Sequence, residues 1–230
     1  VRAKVTALRA RQLDPGPART AAAEQARALV DLAGRDLAAA EVRLVLVGGL
    51  PGTGKSTVAE ALSATTGAVL LGSDLTRKER AGMSAKRPAP AAYREGLYDP
   101  ATTTATYDAM LERARVALGR GATVVLDASW TDEVRRRAAR RVAEEVRARL
   151  VEVRCACPAE VAAARIRARR SAGPTASDAD EAVAAAMAAD ADAWPEAVVL
   201  DTDAPVEEVL DRAVDLLGPV TGSGRRALRG

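Results

Sequence analysis

The sequence contains no histidine and no phenylalanine, and only 2% of its 230 residues are aromatic. Without an imidazole the chain has no Ser-His-Asp hydrolytic triad, no histidine-ligated metal and no phosphohistidine relay. Any general base is therefore a carboxylate or something less usual. The shortage of rings leaves few platforms on which unpaired bases can stack, which counts against single-stranded nucleic acid as a partner. No apolar run approaches the roughly 20 residues of a membrane helix, so no membrane partner is expected. The chain opens Val1-Arg2-Ala3-Lys4 without the apolar segment of a secretory leader, and a cytoplasmic location is expected. The missing initiating methionine points to an alternative start codon, to processing, or to a piece of something longer. The two cysteines, Cys155 and Cys157, stand two apart at the end of a predicted strand. That spacing suits a disulfide poorly, and two thiols without histidine make a poor zinc site, so they read as small buried hydrophobes.

What is present describes a globular protein. Hydrophobic residues make up 48% and charged residues 28%, enough to build a core at this length. The net charge is only +3, but it is unevenly spread. Arg77, Lys78, Arg80, Lys86, Arg87 and Arg94 crowd residues 75–100, whereas residues 178–211 are acidic. The basic stretch reads either as a face for an anionic ligand or nucleic acid, or as solvated surface. Residues 1–13 and 18–40 read as helices broken by Asp14-Pro15-Gly16-Pro17, an N-terminal helical extension covering residues 1–40. Beyond it, apolar runs at 42–47, 68–72, 122–127, 150–155 and 197–201 alternate with helical stretches at 54–66, 101–119, 131–148, 158–170, 178–192 and 205–217. Near-continuous apolar strands separated by helices predict an α/β fold over residues 41–220, a five-stranded parallel sheet covered on both faces. Residues 221–230 read as a flexible basic tail.

After the first strand comes Gly49-Leu50-Pro51-Gly52-Thr53-Gly54-Lys55-Ser56-Thr57, which satisfies the P-loop pattern in its proper strand-to-helix context. Glycines let successive N–H groups turn inward around phosphate oxygens, and the positive end of the next helix points at the same anion. In this pattern Lys55 bridges the β- and γ-phosphates, and the Ser56 hydroxyl is a Mg²⁺ ligand. Lysine is scarce in the chain, which has only Lys4, Lys55, Lys78 and Lys86. The fold class is thus a P-loop NTPase, and ATP with Mg²⁺ is the expected ligand pair.

The fate of the γ-phosphoryl group turns on other residues. The strand at 122–127 ends in Asp127, the expected acidic partner of Mg²⁺. Hydrolytic motor-type ATPases usually follow this residue with a water-polarising glutamate, but here the next residue is Ala128, and no Asn-Lys-x-Asp guanine motif occurs. The second strand ends in Gly72-Ser73-Asp74, beside the γ-phosphate in such a fold. Asp74 reads either as the base that takes the proton of an acceptor hydroxyl or as the N-cap of a helix over 75–81. Arg165 and Arg169, four apart on one helix face before the Ser171–Thr175 segment, read either as a phosphate-neutralising lid or as a solvated basic face.

The segments GGLPGTGKST, SDLTRKE, VVLDASW, CPAEVAAARIRARR and SDADEAV together resemble bacterial AAA-type kinases, P-loop phosphotransferases related to the zeta-toxin, gluconate-kinase and polynucleotide-kinase groups. The resemblance spans residues 41–215. It implies Asp74 as the acceptor-activating base, Arg77 near the acceptor, Arg165 and Arg169 in the lid, and the loop after Asp201-Thr202-Asp203 near the adenine. VRAKVTALRA resembles the terminal helix of aminoglycoside-phosphotransferase-like domains, which precede such kinases in many bacteria; such a domain, upstream or separate, is an implied partner.

The expected function is ATP-dependent transfer to a hydroxyl of a small molecule, with residues 79–100 lining the acceptor pocket. There Tyr93 and Tyr98 read as acceptor contacts or as local packing, and Trp130 as a pocket border or a core seal. A 5′-hydroxyl polynucleotide kinase and a nucleotide-sugar kinase are alternatives. An ATP-binding regulatory module without acceptor turnover is another.

Overall fold

The computed structural model describes residues 1–39, 41–85, 87, 92–172 and 179–218. They form two compact units that divide between Glu41 and Val42. In the first, α1 (Arg2–Gln12) and α2 (Pro17–Ala39) pack on each other, with Ala10 and Ala26 buried. Pro17 opens α2, where its missing N–H is no loss. The tail expected at 221–230 lies outside the described residues.

The second unit runs β1 (Arg43–Gly48), α3 (Lys55–Thr66), β2 (Val69–Gly72), α4 (Ser73–Arg80), a 3₁₀ turn (Gly96–Tyr98), α5 (Pro100–Gly119), β3 (Val124–Asp127), α6 (Glu133–Glu145), β4 (Arg149–Ala156), α7 (Ala159–Ala172), α8 (Glu181–Ala189), β5 (Val198–Asp201) and α9 (Val206–Leu217). The five strands are all parallel, in the order β2-β3-β1-β4-β5. All six residues of β1 are buried, which is why its sequence shows no apolar-polar alternation. Leu44 and Leu46 join a cluster with Leu111 and Met110 of α5 and Ala139 and Val142 of α6. Val45 and Val47, at the alternate positions, face the other side of the sheet, the side where α3 packs against α9. Among the described residues no helix is long and apolar enough to cross a membrane.

Two departures from the expected elements bear on the site. Helix α4 starts at Ser73 with Gly72 as its N-cap, so Asp74 sits inside the first turn and is not the cap. The helix expected over 178–192 is only Glu181–Ala189. Beyond it, the chain is drawn toward the core by Trp194, only 8% exposed, whose indole N–H donates to Glu152.

Trp130 is fully buried with a left-handed φ of 53°, a conformation that bulky residues avoid. Its surroundings over-determine it. The indole N–H donates to the Leu126 carbonyl at 3.3 Å, the ring meets Tyr107 edge-on at 5.0 Å, and its own carbonyl accepts from Arg136 at 2.7 Å. Arg136, also fully buried, donates its other terminal nitrogen to the Ala193 carbonyl at 2.6 Å and pairs with Glu133. One guanidinium thus ties the turn after β3 to the segment after α8. Arg136→Leu strands two carbonyls and takes one of three arginine partners from Glu133, and a loss of about 3 kcal/mol is expected in urea unfolding of the chain. A loss of less than about 0.5 kcal/mol, the size of an ordinary surface change, would refute this role.

Candidate active site

Parallel pairing sets three strand ends level. Asp127 of β3 is in register with Val47 of β1 on one side and with Gly72 of β2 on the other. The chain therefore leaves β1 into the phosphate loop, β2 into Asp74 and β3 into Ser129, all at the carboxyl edge where ligands of open α/β sheets bind. The expected residues meet there: Pro51, Lys55 and Asp74 line one cavity of about 610 Å³.

The loop is shaped for close backbone approach. A Cβ on Gly52, whose φ is +83°, would lie 2.4 Å from the Ala162 carbonyl of α7. One on Gly49, at φ +141°, would lie 2.6 Å from the Cys155 carbonyl. Gly54 is the left-handed N-cap of α3, so Lys55, Ser56 and Thr57 form the first turn, with their N–H groups directed into the loop. Thr53 donates to the Leu50 carbonyl at 2.8 Å and closes the loop on itself.

Asp127 stands beneath this loop. Burial pushes its carboxyl above the ordinary aspartate range, Lys55 and a hydrogen bond from Ser56 oppose that rise, and the negative charge of Asp74 adds to it. Its Oδ1 is buried without a hydrogen-bond partner. A buried carboxylate oxygen with no donor, next to a serine hydroxyl and an ammonium, suits a divalent cation. The described residues contain no cluster of three metal-binding side chains. A cation here would thus take Ser56 and Asp127 together with oxygens of a bound ligand.

Asp74 lies in the first turn of α4, whose N-cap is Gly72, and its Oδ1 accepts from Arg77 at 2.8 Å. Arg77 is 5% exposed, lies under the Tyr98 ring at 4.5 Å and is absent from the cavity wall. In this geometry Arg77 orients Asp74 and does not reach into the cavity, unlike the acceptor contact that the resemblance implies. Tyr93 and Tyr98 both line the cavity, whereas Trp130 seals the core.

The two arginines of α7 separate. Arg165 donates to the Thr202 carbonyl at 2.8 Å and passes 3.9 Å from the Cβ position of Gly54, beside the phosphate loop. Arg169 donates to the Ala179 carbonyl at 2.8 Å and so ties α7 to the start of α8; residues 173–178, part of the expected lid, lie outside the described residues. The loop after β5 is fastened to the phosphate loop by Thr202, whose hydroxyl donates to the Thr53 carbonyl at 2.8 Å. Burial pushes the Cys155 thiol up to about 12, which fits an inert packing role.

Several wall residues escaped the sequence reading: Ser129, Thr131, Asp132 and Arg135 after β3, and Val183 and Met187 of α8. Hydroxyl residues on both sides of Trp130, immediately after Asp127, were the available signal. The left-handed turn at Trp130 sends the indole inward and leaves both neighbours on the cavity.

Fold and loop together define a P-loop NTPase fold with a cleft beside the phosphate-loop lysine. The chain belongs to the AAA domain family, whose model matches residues 44–194. Uncharacterised proteins of Mycobacterium tuberculosis and Mycobacterium bovis are 38% identical to it over 213 residues, 93% of this chain and 41% of theirs. The chain thus spans about two fifths of the length of those relatives. Among solved structures, a sugar kinase from Janibacter sp. HTCC2649 matches with a TM-score of 0.57 at 19% identity, over 79% of this chain and 99% of that one. The APS kinase of M. tuberculosis, in complex with AMPPNP and APS, matches with a TM-score of 0.54 at 20% identity, over 77% and 98%. At these identities the likeness establishes the fold.

Because the Asp127 pKa is raised in the folded state, the unfolded chain releases this proton first as pH rises. The fold loses stability through that interval and does not regain it above. Asp127→Asn removes the burial penalty, so the ligand-free variant is expected to melt above wild type at neutral pH. The gap should close as pH falls toward 3.8. Each 1 kcal/mol recovered corresponds to about 2–4 °C in Tm for a chain of this size. A variant that melts lower at neutral pH contradicts the assignment.

Proposed function

We propose that the chain is an ATP-dependent phosphotransferase that moves the γ-phosphoryl group to a hydroxyl of a small molecule, with Mg²⁺. The observation that carries this reading is the presence of Lys55 and Asp74 on one cavity wall, with Asp74 free of capping duty and oriented by Arg77. A pure nucleotide sensor has no use for an oriented carboxylate at that place.

In this mechanism the N–H groups of residues 52–57 and the Lys55 ammonium hold the β- and γ-phosphates. Ser56 and Asp127 would hold Mg²⁺, which when bound would offset negative charge on the β- and γ-phosphates. The acceptor hydroxyl lies against Asp74. As its oxygen bonds to the γ-phosphorus, the bond from that phosphorus to the β–γ bridging oxygen breaks, ADP leaves, and the hydroxyl proton passes to Asp74. Proton loss is late in a loose transition state, so the position of the carboxylate matters more than its basicity. Arg165, beside the loop, is placed to balance charge on the transferring group. Ala128 follows Asp127 where a hydrolase would place a glutamate, so transfer is favoured over hydrolysis.

The test is ADP release over sugars, amino sugars, sugar acids, nucleosides, nucleotide-sugars and 5′-hydroxyl oligonucleotides. Asp74→Asn is expected to lower acceptor-dependent turnover by at least ~100-fold, a typical general-base contribution, while Mg–ATP affinity survives. Lys55→Ala should weaken both. Tight ATP binding with no acceptor-dependent ADP release, unaffected by Asp74→Asn, would favour the regulatory module instead.

A further inference from the structure

We propose that Arg135 is an oxyanion-binding residue of the cavity and that the phosphoryl acceptor presents a carboxylate or phosphate to it. The acceptor half of this statement rests on the phosphotransferase reading; the oxyanion site does not.

Among the described residues, the cavity wall holds four carboxylates, Asp74, Asp132, Asp190 and Asp192, and three cations, Lys55, Arg94 and Arg135. Each carboxylate has a partner. Asp74 accepts from Arg77 at 2.8 Å. Asp190 pairs with Arg94 at 3.2 Å. Asp192 accepts from the Glu133 N–H at 2.8 Å. Asp132 caps α6, accepting from the Val134 N–H at 2.8 Å. Among the described residues, an amine-bearing acceptor would find no unpartnered acid on this wall. Among the cations, Lys55 belongs to the phosphate loop and Arg94 is paired.

Arg135 is different. Among the described residues its guanidinium donates no hydrogen bond, and its only ionic neighbour is Asp132, 3.7 Å from Nε. Of the four arginines that follow it on α6, Arg136, Arg137 and Arg140 pair with Glu133, and Arg141 is not on the cavity wall. The Arg135 side chain is 23% exposed, and its terminal nitrogens face the cavity without protein acceptors among the described residues. It is also held in place. The guanidinium rests on the Tyr107 ring at 4.7 Å, and the Tyr107 hydroxyl is anchored at 3.2 Å to Ser129 and by the Trp130 N–H. A planar fork with unmet donors on a fixed aromatic plate matches an oxyanion, which can accept two parallel N–H bonds with little ordering left to do.

The site is tested with four hexose probes that differ in charge: gluconate, glucose 1-phosphate, glucose and glucosamine. Each is titrated calorimetrically into the full chain, with and without Mg–AMPPNP. At least one anion is expected to bind ~10-fold or more tighter than glucose, as one hydrogen-bonded charge pair supplies. Added potassium chloride should weaken that preference. Arg135→Gln should reduce it to within about twofold, and Arg135→Lys, which keeps the charge but loses the fork, should fall between. Circular dichroism checks that both variants fold. The proposal is overturned if no anion binds, if glucose or glucosamine binds as tightly as the anions, or if the preference survives Arg135→Gln. Mg–AMPPNP binding is judged by itself: should it be absent while the anion preference follows Arg135, the phosphotransferase reading falls and the oxyanion site stands.

Discussion

The level ending of β1, β3 and β2 is the constraint on which the site depends. Parallel hydrogen bonding fixes Val47, Asp127 and Gly72 in one row, and the three chain segments that leave this row have nowhere to go but the same edge. A slip of one residue in β3 would turn Asp127 to the opposite face and place Leu126 or Ala128 in the row instead. Slip is opposed by burial, since Val124, Val125 and Leu126 are inaccessible to solvent and pack on both faces of the sheet. The proposed chemistry thus inherits its geometry from the hydrophobic core and needs little correction from the loops.

Loops do set the rest of the cavity, and they are held by polar contacts of a different kind. Trp130 in its left-handed turn and Arg136 across to Ala193 join the exit of β3 to the exit of α8, which Trp194 on Glu152 ties in turn to β4. A second set, Thr202 to Thr53 and Arg165 to Thr202, joins the exit of β5 to the phosphate loop. All but the Trp194–Glu152 bond replace hydration of a backbone carbonyl with a fixed side-chain donor, so the stiffness of these loops comes largely from satisfying the main chain.

Much of this was legible in the amino-acid order. The five apolar runs became the five strands, and the P-loop pattern located Lys55 and Ser56 because its glycines carry a backbone requirement visible as residue type. Asp127 and Asp74 could be found because strand ends are marked by where apolar runs stop. What was not legible depended on contacts across the chain. That Asp74 lies inside α4 instead of capping it follows from where the helix starts, and Gly72 and Ser73 both suit that start. The commitment of Arg77 to Asp74 under Tyr98 needs the 3₁₀ turn to fold back, which no local spacing encodes. Arg135 sits in a run of three arginines, identical as letters, and only the placement of Glu133 and Tyr107 separates the spare guanidinium from its occupied neighbours.

The cavity wall has two provenances. Lys55, Asp74 and Ser129 stand on the sheet edge, while Tyr93, Tyr98, Val183 and Met187 come from peripheral segments that contribute no strand. A scaffold divided in this way lets evolution, or a designer, exchange what is recognised while leaving the reacting geometry alone. Distant members of such a lineage can therefore share their central architecture yet diverge in the chemistry of the compound that fills the cleft.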